Sequence, residues 1–275
     1  MLKITTLIEN GTGEHRGLKA EHGISFCVEK DGRKILFDTG QSGAFIQNAA
    51  LLGISLEDTE YVVLSHGHYD HAGGFRSLSG VVSSFRLMVG EGFFEEKYAS
   101  RGPCRDYLGP DFNEAWLREK GISYSFFGED VREILPGAYL LSRFPRIHGD
   151  ERIHPRFVLR RGGSFLPDLF EDEILLALDT SGGIVVLLGC AHPGMRNMLD
   201  GVKNRLGRPI LAVLGGTHLV ESKGVSLERS LRYFEEESVR IIGVSHCTGS
   251  EAVSRLRASS GNFFHNVTGS SLFLE

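Results

Sequence analysis

Four short apolar runs in this sequence each end in a small residue followed by histidine. They are "YVVLSHGHYDHAGG", "GIVVLLGCAHPG", "PILAVLGGTHL" and "RIIGVSHCTG". Apolar, β-branched runs of this length bounded by glycine read as buried strands. In alternating strand–helix structures, ligands gather beyond the carboxyl ends of the strands. A chain that repeats this pattern must therefore carry several histidines on strand ends. One such histidine is accounted for by a cap or a buried hydrogen bond, but four together are not.

The first run is the densest. His66, His68, Asp70 and His71 fall within six residues. His66 and His68, two apart on extended chain, point to one side and suit a single ion. Asp70 and His71 follow where the chain turns into a helix and reach a second position. Imidazole and carboxylate are the usual ligands of zinc, iron and manganese. Two such ions close together make a nucleophile from water at neutral pH and clamp an oxyanion. The glycines of "HAGG" allow close backbone approach behind the ions.

The rest of the chain is an α+β pattern. "LKITTLIEN" reads as a strand, and "GISFCVEKDGRKILFDTG" as a hairpin turning at Asp31-Gly32. "SGAFIQNAALLGI" has helical spacing and stops at Gly53. In the second half, "MRNMLDGVKNRLG" reads as a helix closed by Gly207, "SLERSLRYFEEES" as a helix capped by Ser226, and "SEAVSRLRASSG" as a third; "NFFHNVTGSSLFLE" has strand pattern. Residues 90–165 are an inserted or cap region, with a helical piece near "FNEAWLREKG" and a basic loop over "RFPRIHGDERIHPRFVLRRGG". Arg143, Arg146, Arg152, Arg156, Arg160 and Arg161 make this part basic, as a solvated loop or a guide for a phosphate-bearing substrate.

A chain of 275 residues, 41% hydrophobic and 24% charged, can bury a large core. The net charge of −5 gives no basic nucleic-acid footprint. No apolar run approaches the ~20 residues of a membrane span. The N-terminal stretch has no charged start followed by an apolar core and cleavage site. Cys27, Cys104, Cys190 and Cys247 form no CxxC pair, which suits a reducing compartment and a cytoplasmic location. The partner expected is an anionic small molecule; the oligomeric state is not legible.

"SHGHYDHAGG" resembles the HxHxDH signature of the metallo-β-lactamase superfamily, and the similarity runs from "ILFDTG" to "HCTG". "GCAHPG", "GGTHL" and "SHCTG" resemble a subgroup similar to the dihydropteroate-synthase-like enzymes of methanopterin biosynthesis. The resemblance implies one domain over residues 1–275 with a four-layered αββα sandwich. It implies His66, His68 and His192 on one divalent ion and Asp70, His71 and His246 on another, most simply zinc, with manganese or iron also accepted. It implies metal-dependent hydrolysis of a phosphate ester or pterin phosphate, or pterin condensation, with Asp70 orienting water and His218 serving the leaving group or substrate. A di-iron redox protein and a non-catalytic metal-bound sensor are the competing readings; the intact histidine cluster argues against both, and the acidic chain against a nuclease. Where many relatives carry a metal-bridging aspartate in "GD", this sequence has "GC", and Cys190 reads either as a small buried residue or as a thiolate ligand.

Asp38 in "FDTG" is expected to orient a ligand histidine. His22 is a candidate from the N-terminal loop, and Thr248 a candidate hydroxyl for an anionic substrate. His15, His148, His154 and His265 lack strand-end context and read as loop histidines; Trp116, the only tryptophan, reads as packing for the inserted helix.

Overall fold

The computed structural model describes residues 1–14 and 17–275, so His15 lies outside the described residues. The chain divides into two compact units. The first comprises Met1–Phe127, His154–Asp172 and Val267–Leu274; the second comprises Gly128–Ile153 and Glu173–Asn266, with Glu275.

In the first unit a seven-stranded mixed sheet runs in the order Ser271–Leu274, Leu2–Ile8, Ser25–Lys30, Arg33–Phe37, Thr59–Leu64, Arg86–Gly90 and Tyr124–Phe127. Strands up to Arg33–Phe37 pair antiparallel; from there on they are parallel. The hairpin turns where the sequence places it: Asp31 and Gly32 both have positive φ (50° and 80°), the geometry of a type I′ turn. Helix Ala44–Leu51 buries Phe45 and Ala49 against this sheet, in a cluster with Leu36, Val62, Leu64, Phe75 and Leu87. It stops before Gly53, at φ 69°.

A second, four-stranded antiparallel sheet in this unit is built from Ser164–Pro167, Phe157–Arg161, Glu96–Arg101 and Cys104–Tyr107. The basic stretch expected as loop thus contains a strand, Phe157–Arg161, which alternates Phe157 and Leu159 inward while Arg160 and Arg161 pair outside with Glu96 and Glu95. Helix Glu114–Glu119 is capped by Asn113, whose Oδ1 accepts the Trp116 N–H at 3.0 Å; Trp116 packs on Phe75 and Phe112.

The second unit holds a six-stranded sheet in the order Ile241–Ser245, Ile210–Gly216, Gly183–Leu188, Leu175–Thr180, Ala138–Leu141 and Val131–Leu135. The first three strands are parallel, and every residue of Gly183–Leu188 is buried, as a central strand requires. Helix Met195–Leu206 buries Met195, Met198, Leu199 and Val202, one stripe at 3.6-residue period, and ends at Gly207 in the left-handed conformation. Ser226 does not cap the next helix. That helix begins earlier, at Gly224, so Ser226 lies inside it and its hydroxyl donates to the Asp150 carbonyl at 2.9 Å. Of the C-terminal stretch, Ser271–Leu274 pairs as a strand, and Phe263 makes an isolated parallel bridge to Ile242.

Candidate functional site

In the first unit, strands Arg33–Phe37 and Thr59–Leu64 are parallel neighbours, so Asp38 and Ser65 leave the sheet side by side. Asp38 is fully buried. One carboxylate oxygen accepts the Ser65 N–H at 2.7 Å; the other accepts the Ser65 hydroxyl at 2.8 Å and His71 Nδ1 at 2.7 Å. That last bond places the His71 proton on Nδ1 and turns Nε2 into an acceptor. The Ser65 hydroxyl also lies 3.0 Å from His66 Nδ1. The ring of His66 stands 4.6 Å from that of His68 and 4.3 Å from that of His71.

Asp70 and His71 lie in the short helix Tyr69–Ala72 that follows. Asp70 Oδ2 is 3.7 Å from His71 Nε2 and 3.3 Å from Nε2 of the half-exposed His22. Desolvation, helped by His71 and His68, holds the pKa of His66 well below the ordinary imidazole value. Its neutral form, the form that binds metal, is therefore the resident one. Three close imidazoles and a buried carboxylate are a donor set that fits a divalent ion.

Behind the loop is a feature that sequence reasoning missed. The amide of Gly67, between His66 and His68, donates to Asp172 Oδ2 at 2.8 Å. Asp172 Oδ1 accepts from Lys97 Nζ at 2.9 Å, and Lys97 also donates to Asp168 at 3.0 Å. All three side chains are about 98% buried. Burial alone would lower the lysine pKa; the two carboxylates outweigh it and raise it, so the ammonium stays charged. Phe170 stands between Lys97, 5.0 Å from its ring, and the ring of His68 at 5.3 Å. Gly67 is itself required: a Cβ there would meet the Phe93 carbonyl oxygen at 2.2 Å. Gly73 and Gly74 press against the backbone of Thr39, Gln41 and Ser42, so the glycines of "HAGG" seat this loop on the chain after Asp38.

In the second unit the three parallel strands carry His192, His218 and His246 past their ends. Ala191, His218 and His246 all have positive φ (57°, 51° and 54°), a conformation that residues with a Cβ adopt at a cost and that clusters at functional sites. Glu173, also unforeseen, shapes the first of these turns. Its buried carboxylate accepts the amides of Cys190, Ala191 and His192 at 3.2, 2.5 and 2.8 Å. The His192 and His218 rings are 4.2 Å apart, and His218 Nδ1 lies 3.4 Å from Glu221 Oε2. Thr248 is fully buried and its hydroxyl accepts both the amide and the hydroxyl of Thr217, at 3.2 and 2.9 Å. It ties two strand ends together. Cys190 Sγ, a His246 ring nitrogen and Cys247 Sγ lie within 4.8 Å of one another.

Of the other histidines, His148 Nε2 pairs with Asp200 at 2.7 Å, and His154 Nδ1 accepts the Arg156 amide at 3.1 Å. No helix among the described residues is long and apolar enough to cross a membrane.

Residues 21–83, which include the whole histidine cluster, match the family described as the metallo-beta-lactamase superfamily. The chain is similar over its full length to the solved structure of Tm1679, described as a metal-dependent hydrolase of the beta-lactamase superfamily. The two are 32% identical with a TM-score of 0.88, covering 100% of this chain and 99% of that one. A Methanocaldococcus jannaschii protein, 7,8-dihydropterin-6-methyl-4-(beta-D-ribofuranosyl)-aminobenzene-5'-phosphate synthase, is 29% identical over 91% of this chain and 89% of its own. A diphosphatase from the PhnP family shares the fold, at 16% identity and a TM-score of 0.56 over 100% of this chain and 98% of that one.

Proposed function

Since the chain belongs to the metallo-β-lactamase superfamily, with its α+β fold, we propose that it is a zinc-dependent enzyme that hydrolyses a phosphate ester, a pterin phosphate being the leading substrate class. The observation that carries the reading is the buried His66–His68–His71 cluster, with His71 oriented through Nδ1 by the Asp38 carboxylate. Support for the substrate class comes from the M. jannaschii relative, named as a synthase of a dihydropterin-bearing ribofuranosyl 5'-phosphate; condensation of a pterin is the alternative outcome at the same site.

In this reading His66, His68 and His192 would hold one ion, and Asp70, His71 and His246 would hold a second. Bound divalent metal supplies Lewis acidity and an acidic water. The protein supplies the rest. Asp70 orients the attacking water and takes its proton, which His22, 3.3 Å away and open to solvent, can pass outward. His218, steadied by Glu221, donates a proton to the leaving oxygen. Asp38 and Ser65 keep His66 and His71 in register throughout.

The test starts with metal. Protein purified without added metal is expected to carry one or two zinc ions per chain by elemental analysis. Chelation should abolish turnover of phosphate monoesters, diesters and pterin phosphates, and zinc should restore it. His68→Ala should lose at least one ion and drop metal affinity by more than the roughly 10–100-fold typical of losing a mere supporting group. Full metal and full turnover in His68→Ala would sink the ligand assignment. Two irons with redox turnover and no hydrolysis would replace the hydrolytic reading with a di-iron one.

A further inference from the structure

Two parallel strands of the second unit, Gly183–Leu188 and Ile241–Ser245, flank a third, Ile210–Gly216. The outer two lead into Cys190 and into His246-Cys247; the middle one ends in a glycine pair. That pair is what lets the flanking side chains meet. A Cβ on Gly216 would sit 2.5 Å from Cys247 Sγ and 3.2 Å from the Cys190 Cα. With glycine there, Cys247 reaches across the end of the middle strand toward Cys190. Its sulfur and that of Cys190 come within 4.8 Å of each other and of a His246 ring nitrogen.

We propose that Cys190, Cys247 and His246 form a thiolate-bearing site for a zinc-like divalent ion. This deepens the metal-dependent reading and rests on it: the ion that His246 holds gains two sulfur ligands. Three features favour the assignment. The set is two sulfurs and an imidazole, which selects zinc or cobalt over the oxygen-preferring magnesium and manganese. Zn–S and Zn–N bonds of about 2.3 and 2.1 Å put neighbouring ligands of one ion roughly 3–4 Å apart, so a small inward movement would close the site. The Cys247 sulfur is held in place between the strand ends, accepting the His218 amide at 3.3 Å and donating to the Cys190 carbonyl at 3.6 Å. Cys27 stands apart from this site: burial, with Glu29 near it, pushes its thiol up to about 12, and it lies within the apolar cluster of the other unit.

On binding, each thiol loses its proton to solvent as the metal–sulfur bond forms, and no electron changes hands. The cysteine in "GC", where many relatives have a metal-bridging aspartate, would then be a replacement ligand.

The experiment is cobalt(II) substitution of the full-length protein, read by absorption. Visible d–d bands report cobalt in the protein; a strong near-ultraviolet thiolate-to-cobalt band reports sulfur ligation. The expected result is both, with the near-ultraviolet band roughly halved in Cys190→Ser and in Cys247→Ser and unchanged in Cys27→Ser and Cys104→Ser. Visible bands without the near-ultraviolet band would overturn the thiolate site and leave the metal-dependent reading standing. Absence of both would overturn the two together. Should the cysteine variants fail to fold, the wild-type protein suffices: zinc should slow alkylation of Cys247 by iodoacetamide at least tenfold, mapped by peptide mass, and an unchanged rate would overturn the proposal.

Discussion

The two units present histidines by opposite means. The first packs His66, His68 and His71 into one loop and holds that loop by charge: Asp38 beneath His71, and the Lys97–Asp168–Asp172 triad behind Gly67. The second spreads His192, His218 and His246 over three strand ends and holds them by backbone conformation, with positive φ at or beside each. On that side the Glu173 carboxylate accepts three turn amides, and Glu221 lies 3.4 Å from His218 Nδ1. The bracing acids Asp172 and Glu173 are consecutive in sequence, the last residue of one segment and the first of the next. A clustered motif needs side-chain charge to stop a short loop from rearranging. A dispersed set inherits its positions from the sheet and needs only its turns fixed.

If that contrast is right, removing the brace should cost more in the first unit. Asp172→Ala leaves Lys97 buried beside a single carboxylate, and breaking a buried ion pair in this way costs about 3–5 kcal/mol. Urea denaturation should show that loss, and metal affinity should fall with it. A loss under about 1 kcal/mol would mean the triad is not holding the loop. Glu173→Ala removes a charged acceptor from three buried amides. The expected loss is smaller, about 1–3 kcal/mol in total, because removing the buried carboxylate also removes its own desolvation cost and leaves no unpaired charge behind. Equal losses in the two variants would erase the distinction drawn between charge-held and backbone-held ligands.

Asp38→Asn sharpens the same point without removing bulk. The amide can still accept from Ser65, but it no longer fixes the His71 tautomer by charge. Groups that orient a metal-ligating histidine are typically worth 10–100-fold in metal affinity, about 1.4–2.7 kcal/mol. Competition with a chelating dye should show that drop with the melting temperature little changed. A melting temperature that falls while affinity holds would make Asp38 a folding residue alone.

How much of this was readable in advance follows from the same contrast. The histidine loop, the Asp31-Gly32 turn and the strand–helix rhythm of the second half are local patterns, and local patterns survive in sequence. Asp38 could be suspected because it ends a strand beside the cluster. Lys97, Asp168 and Asp172 could not. Lys97 is 71 and 75 residues from the two aspartates, and all three look like solvated charges until the fold buries them together. Glu173 was hidden in the acidic run "EDE" for the same reason. The four-stranded sheet escaped notice because Cys104–Tyr107 and Ser164–Pro167 are exposed throughout and so lack the alternation that marks a strand. Ser226 misled because serine is a good cap, yet the helix starts two residues before it, at Gly224.

The smallest expected effect lies away from both ligand loops, where the second unit does rely on side-chain charge. Tyr233 donates to Asp200 at 2.7 Å, and the same carboxylate takes His148 at 2.7 Å and Lys203 at 3.1 Å. Burial would raise the Asp200 pKa; the hydrogen bonds from Tyr233, His148 and Lys203 outweigh it and hold it below the ordinary value. A carboxyl depressed in the folded state stabilises the fold above its unfolded pKa and loses that contribution as pH falls through its folded value. Tyr233→Phe keeps the ring in the core and removes one donor, so it should cost about 1 kcal/mol near neutral pH. The difference from the wild type should shrink in acid, as Asp200 becomes protonated in both proteins. Urea titrations at neutral and strongly acidic pH measure it. A difference that stays constant across that range would place the cost in ring packing rather than in the carboxylate, and the second unit would then be held by backbone and apolar contacts alone.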